Sequence, residues 1–126
     1  MDGGLADSIP IEYALEKGND KIVVVLTRNP GYRKKRALKA TEQLYKRAYK
    51  KYPNLVRAIM TRNAVYNRQM KLIEKLEEEG KIFVIRPLIP TVSRMEKDYD
   101  KLQHFYMHGN RLMKKEYQGL LEYLKE

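Results

Sequence analysis

Lys21-Ile22-Val23-Val24-Val25-Leu26-Thr27-Arg28 is the stretch whose reading decides the fold. It is β-branched and apolar without alternation, the pattern of a strand covered on both faces in a largely parallel sheet, over about residues 21–28. A second run, Lys81-Ile82-Phe83-Val84-Ile85-Arg86-Pro87, repeats that pattern over about 82–86. The residues between them carry helical periodicity. Strand, helices, strand in that order predicts two parallel buried strands joined by a right-handed helical crossover. The two strands need not be adjacent, and each requires neighbours.

Working outward from the first strand, Asn29-Pro30-Gly31-Tyr32 is a strong turn signal, and Arg33-Lys34-Lys35-Arg36 opens a basic helical region. From Ala37 to Tyr52, apolar or aromatic residues at 37, 38, 41, 44, 45, 48, 49 and 52 follow helical spacing. Lys39, Lys46, Arg47, Lys50 and Lys51 occupy the remaining face. Pro53 ends that helix and suits the first turn of the next, which runs to Glu79 and stops at Gly80. After the second strand, Pro87 and Pro90 break the chain, and Ser93-Arg94-Met95-Glu96 has capping-box spacing. A last helix, from about Asp98 to Leu124, carries a stripe from Leu102 to Leu124 and is expected to pack across the sheet.

Upstream of the first strand stands Asp2-Gly3-Gly4-Leu5-Ala6-Asp7-Ser8-Ile9-Pro10-Ile11. Ser8 reads as the N-cap of a short helix over about 9–17, with Gly18 as its stop. Two glycines directly after a carboxylate predict a sharp turn using positive φ, which leaves the Asp2 side chain exposed at the end of a sheet. That placement suits a catalytic carboxylate. The alternative reading of Asp2 is a plain turn residue.

This order, Asp-Gly-Gly, Ser-Ile-Pro-Ile, a helix, then a buried strand running into Thr27-Arg28-Asn29-Pro30-Gly31-Tyr32-Arg33-Lys34, resembles the patatin-like phospholipase family. Looser similarity continues through Tyr52-Pro53-Asn54, Tyr66-Asn67, Phe83 to Pro87, Val92 to Asp98 and Tyr106-Met107-His108-Gly109. The resemblance implies a helix-rich α/β chain forming the C-terminal part of a three-layer fold, with residues 1–126 as one unit. Residues 1–36 would supply the aspartate loop, a helix and a strand, and residues 37–126 a helical region with one strand. It implies Asp2 as the dyad aspartate, with Gly3 and Gly4 forming its turn.

The family's G-x-S-x-G serine is missing, since Ser8 and Ser93 sit in Ala-Asp-Ser-Ile-Pro and Thr-Val-Ser-Arg-Met. Met1 then reads as an introduced start on a piece of a longer serine acyl hydrolase. The implied parent is a lipid esterase or phospholipase that uses a Ser-Asp dyad and no cofactor. The isolated piece is expected to be inactive, to leave sheet edges open and to self-associate.

Charge supports a second reading. Of 26 basic residues, twelve fall between Arg28 and Arg62 against one acid, Glu42. Such a stretch attracts phosphate, from an anionic lipid surface or from nucleic acid, with Arg33, Lys34, Lys35, Arg36 and Lys39 as candidate contacts. No nucleic-acid-reading motif accompanies it, so peripheral contact with an anionic membrane is preferred. A solvated helix face explains the same charge.

The absence of cysteine excludes disulfides, thiolate chemistry and cysteine-based zinc sites. The longest apolar run, Ile22 to Leu26, is far short of the roughly 18 residues of a membrane span, and a cytoplasmic location is expected. His104 and His108 have a metal-compatible spacing, yet no third ligand is near them in sequence, so no metal is expected.

Overall fold

The computed structural model describes residues 3–36 and 38–125. In chain order it contains a 3-10 turn (Gly3–Leu5), α1 (Ile11–Glu16), β1 (Val23–Val25), α2 (Lys39–Ala48), α3 (Pro53–Glu78), β2 (Phe83–Ile85) and α4 (Tyr99–Lys125). The protein is therefore helix-rich α/β with one pair of parallel strands. It divides into two compact units, Met1–Asn19 with Arg33–Lys75, and Asp20–Tyr32 with Leu76–Glu126.

In the first unit the core is built on one stripe of α3. Val56, Tyr66, Met70 and Ile73 recur at helical spacing and are buried, Met70 and Ile73 completely. Each such aliphatic side chain contributes about 1.5–3 kcal/mol by leaving water. Ile11 on α1 is buried as well. α1 is only six residues long, so it depends on that contact rather than on its own propensity. Pro10 precedes its first turn without a side-chain cap. The Ser8 hydroxyl donates instead to the Gly4 carbonyl at 2.9 Å, so Ser8 is not the N-cap. Gly18 ends the helix at φ +69, a conformation open to glycine at little cost.

Residues 33–36 carry no regular secondary structure and are not the opening turn of a helix. Three side chains of α3 hold them. Asn67 accepts from the Lys34 N–H at 2.8 Å and donates to the Lys34 carbonyl at 2.9 Å. Asn63 donates to the Lys35 carbonyl at 2.6 Å, and Glu74 receives the Arg33 guanidinium at 2.5 Å. These partners satisfy the backbone groups that a helix would otherwise have used. α2 is thus shorter than its periodicity predicts, and a turn from Tyr49 to Tyr52, closed by Tyr52 N–H to the Tyr49 carbonyl at 2.8 Å, leads into α3 at Pro53.

In the second unit β1 and β2 lie side by side, with Val23 opposite Phe83, Val24 opposite Val84 and Val25 opposite Ile85. Each strand is three residues long, shorter than the runs at 21–28 and 82–86 suggest. Their expected burial on both faces is not observed. Val24 is 8% exposed, while Val25 on the other face is 69% exposed. In the parallel register Val25 shares its face with Phe83 and Ile85, and the helix on that face packs against β2 and leaves Val25 uncovered. The covering helix is α4, whose Tyr123 ring lies 5.8 Å from Phe83. A Cβ on Gly119 would come within 3.7 Å of the Phe83 ring.

Asp98 caps α4 by accepting from the backbone N–H groups of Asp100 and Lys101 at 3.0 and 3.3 Å. Ser93, read from sequence as the cap, is not part of it. Gly31 and Gly80 adopt φ +74 and +68 at the turn after β1 and the stop after α3, as expected. Among the described residues no helix is long and apolar enough to cross a membrane.

Candidate functional site

Asp2 lies outside the described residues. The motif that follows it begins with the 3-10 turn, in which the Gly3 carbonyl accepts from the N–H groups of Ala6 and Asp7, both at 3.0 Å. Neither Gly3 nor Gly4 has positive φ, contrary to the expectation. A 3-10 turn is right-handed and needs no glycine conformation, and a Cβ on Gly3 would meet nothing within 4 Å. The turn is anchored from α3. Gln69, 1% exposed, donates its amide to Asp7 Oδ1 at 2.6 Å.

The loop after β1 is anchored too. Asn29 donates to the carbonyls of both Pro87 and Ile89, at 3.0 and 2.7 Å, and Arg28 donates to Thr91 Oγ1 at 3.1 Å. The loops that follow the two strands are thereby fastened together. Sequence reasoning saw Asn29 only as a turn residue, because the carbonyls it reaches lie nearly sixty residues away.

The five basic residues singled out from sequence divide into two groups. Arg33 is half-buried against Glu74, and the hydrogen bond it donates to that carboxylate raises its already high pKa. The Lys34 ammonium sits 4.1 Å from the centre of the Tyr66 ring, a cation–π contact. Both are engaged within the fold. Lys35, Arg36 and Lys39 are exposed.

A different basic surface emerges in the first unit. α2 and the start of α3 enclose a cleft of about 460 Å³. α2 supplies Glu42 and Lys46, and the turn after it supplies Tyr49 and Lys50. Pro53, Val56, Arg57, Met60 and Thr61 come from α3, and Arg36 stands beside them. Spacings of four and eight residues put Glu42, Lys46 and Lys50 on one side, and the same periodicity aligns Pro53, Arg57 and Thr61. Lys46 bridges Glu42 at 2.8 Å. That hydrogen bond and charge, helped by Arg36 and Lys39, hold the Glu42 carboxyl below its ordinary pKa. Lys50 and Arg57 have no acidic partner among the described residues. The periodicity was available in sequence, but the pairing of the two helix faces was not.

His108 Nε2 accepts the Leu88 backbone N–H at 3.1 Å, which leaves its ring proton on Nδ1. Among the described residues no group of three or more histidine, aspartate or glutamate side chains is placed to hold a metal ion.

Residues 52–125 match the family model described as a domain of unknown function (DUF6363). That span covers more than half of the chain, and the protein belongs to this family. It takes in α3, β2 and α4, together with the α3 side of the basic cleft. The α2 side and the Asp2 segment lie outside it. No curated protein and no solved structure matches the chain.

Proposed function

We propose that the chain is the aspartate-bearing C-terminal part of a patatin-like serine acyl hydrolase acting on lipid esters. The observation that best supports this is the pair of short parallel strands of which β1 is incompletely covered, with Val25 69% exposed. Parallel sheets in proteins are generally covered on both faces. An open parallel pair is in keeping with strands of a larger, three-layer sheet that would also carry the serine.

The aspartate segment leads directly into that sheet. Turn, helix α1 and strand β1 follow Asp2 in the order the resemblance requires. In the complete enzyme the Asp2 carboxylate would accept the proton of the serine hydroxyl as its oxygen attacks the acyl carbonyl. Departure of the alcohol would leave an acyl-serine, which water then hydrolyses. The chain itself contributes no such serine. The Ser8 hydroxyl is committed to the Gly4 carbonyl, and Ser93 lies in the loop before α4.

The test is hydrolysis of a chromogenic acyl ester by the full-length protein and by its Asp2→Asn variant. Turnover should fall by about 10²–10⁴-fold, the usual contribution of a general base. Unchanged turnover in the variant would sink the reading.

A further inference from the structure

The cleft between α2 and α3 carries an inference of its own. Four cations line it, Arg36, Lys46, Lys50 and Arg57, against the single carboxylate of Glu42, which Lys46 already engages. Apart from Thr61, its remaining walls, Pro53, Val56, Met60 and Tyr49, are apolar or aromatic. A ligand complementary to such a cleft has a compact anionic end and a less polar body.

The surroundings say which kind of ligand. α2 is strongly amphipathic, yet none of its residues is buried. Leu38, one turn before Glu42 on the cleft side, is 74% exposed, and Tyr52, in the turn that joins α2 to α3, is 62% exposed. Basic side chains next to uncovered leucine and tyrosine are the composition of a helix lying in a bilayer interface. Nucleic acid or free phosphate would use the cations and leave the leucine in water.

We propose that the cleft receives the phosphate headgroup of an anionic lipid, with Lys50 and Arg57 as its principal contacts and α2 lying in the interface of the bilayer. A phosphate between these two cations would gain charge-assisted hydrogen bonds, two of them from the planar fork of Arg57. Vesicle binding needs no serine, so this inference stands or falls independently of acyl hydrolysis.

The experiment is co-flotation of the chain with phosphatidylcholine vesicles, with and without phosphatidate. Wild type should bind only the anionic vesicles. The double variant Lys50→Ala/Arg57→Ala should bind them roughly tenfold or more weakly, in line with the contribution of surface cations near an anionic bilayer. Lys114→Ala/Lys115→Ala removes the same charge from exposed positions on α4 and should bind as wild type. Leu38→Ser should weaken binding without abolishing the phosphatidate preference. Far-UV circular dichroism of each variant establishes that α2 and α3 are intact.

Equal losses in the two double variants would reduce the effect to net charge and overturn the proposal. So would inorganic phosphate displacing the protein from vesicles at concentrations matching the lipid phosphate. Tight duplex-DNA binding with no affinity for anionic vesicles at the same salt would overturn it as well.

Discussion

The side-chain amide of Asn67 meets the backbone of Lys34 twice, accepting from its N–H at 2.8 Å and donating to its carbonyl at 2.9 Å. A side chain on a helix thus takes the hydrogen-bonding place that a neighbouring strand would fill. This contact holds the basic segment 33–36 against α3. It also keeps two half-buried backbone groups satisfied, and an orphaned group of this kind costs about 1–3 kcal/mol.

Asn67→Ala should therefore destabilise the protein by about 1–3 kcal/mol, while Asn67→Asp, which retains the acceptor only, should cost less. Thermal or denaturant melting reads the stability. Hydrogen exchange at the Lys34 amide should accelerate in Asn67→Ala and stay slow in Asn67→Asp. Equal exchange in both variants would mean that the contact does not protect Lys34.

Tyr123 is the corresponding tie in the second unit. Its hydroxyl accepts from the Ile22 N–H at 3.0 Å and donates to the Lys81 carbonyl, also at 3.0 Å. Tyr123→Phe keeps the ring against Phe83 and removes only the hydroxyl. A loss of about 1–2 kcal/mol is expected, with faster exchange at the Ile22 amide. No change at Ile22 would assign the contribution of Tyr123 to the ring alone.

Val25 projects from the part of β1 that α4 leaves uncovered and is 69% exposed. Apolar strand surface of this kind promotes association. The isolated chain is expected to self-associate with rising concentration, and Val25→Lys should shift it toward monomer at nearly unchanged stability. Sedimentation velocity over a concentration series decides this. Association unaltered by Val25→Lys would place the contact elsewhere.

Glu42 provides a test at low pH. Its hydrogen bond from Lys46 depresses the folded-state pKa, so the interaction is fully present above the unfolded glutamate value, about 4.3. It is lost as pH falls through the lower folded value. A carboxyl-detected NMR titration should give Glu42 a midpoint below the ordinary glutamate value. Lys46→Met should return the midpoint upward. A Glu42 midpoint insensitive to Lys46→Met would mean that the bridge does not form in solution.

How much of this was legible in the sequence differs from element to element. Gly18, Gly31 and Gly80 marked their turns correctly because each supplies a positive φ that other residues avoid. The strands were found in the right places and orientation, since a run such as Ile22 to Leu26 has few other uses. Their length and incomplete burial were not readable, because an apolar run does not record how many neighbours it has. The stretch 33–36 was misread as helical for the same kind of reason. Its conformation is set by Asn63, Asn67 and Glu74, some thirty to forty residues away. Ser8 and Ser93 carried cap-like spacing, but local propensity yields where a hydroxyl finds a nearer acceptor or an aspartate stands closer to the helix. The cations of the cleft were visible as a charge-rich stretch, whereas Arg57 joined Lys50 only through the turn at Tyr49 to Tyr52.

β1 belongs to the second unit by its pairing with β2, yet in sequence it sits between two segments of the first. Neither unit can be excised as one uninterrupted piece of chain, and the family span of residues 52–125 includes β2 while omitting the strand bonded to it. A fragment cut to that span would carry a strand with no mate and Tyr123 with half of its hydrogen-bonding partners. The recurring sequence unit and the smallest autonomous folding unit are, in this protein, different objects.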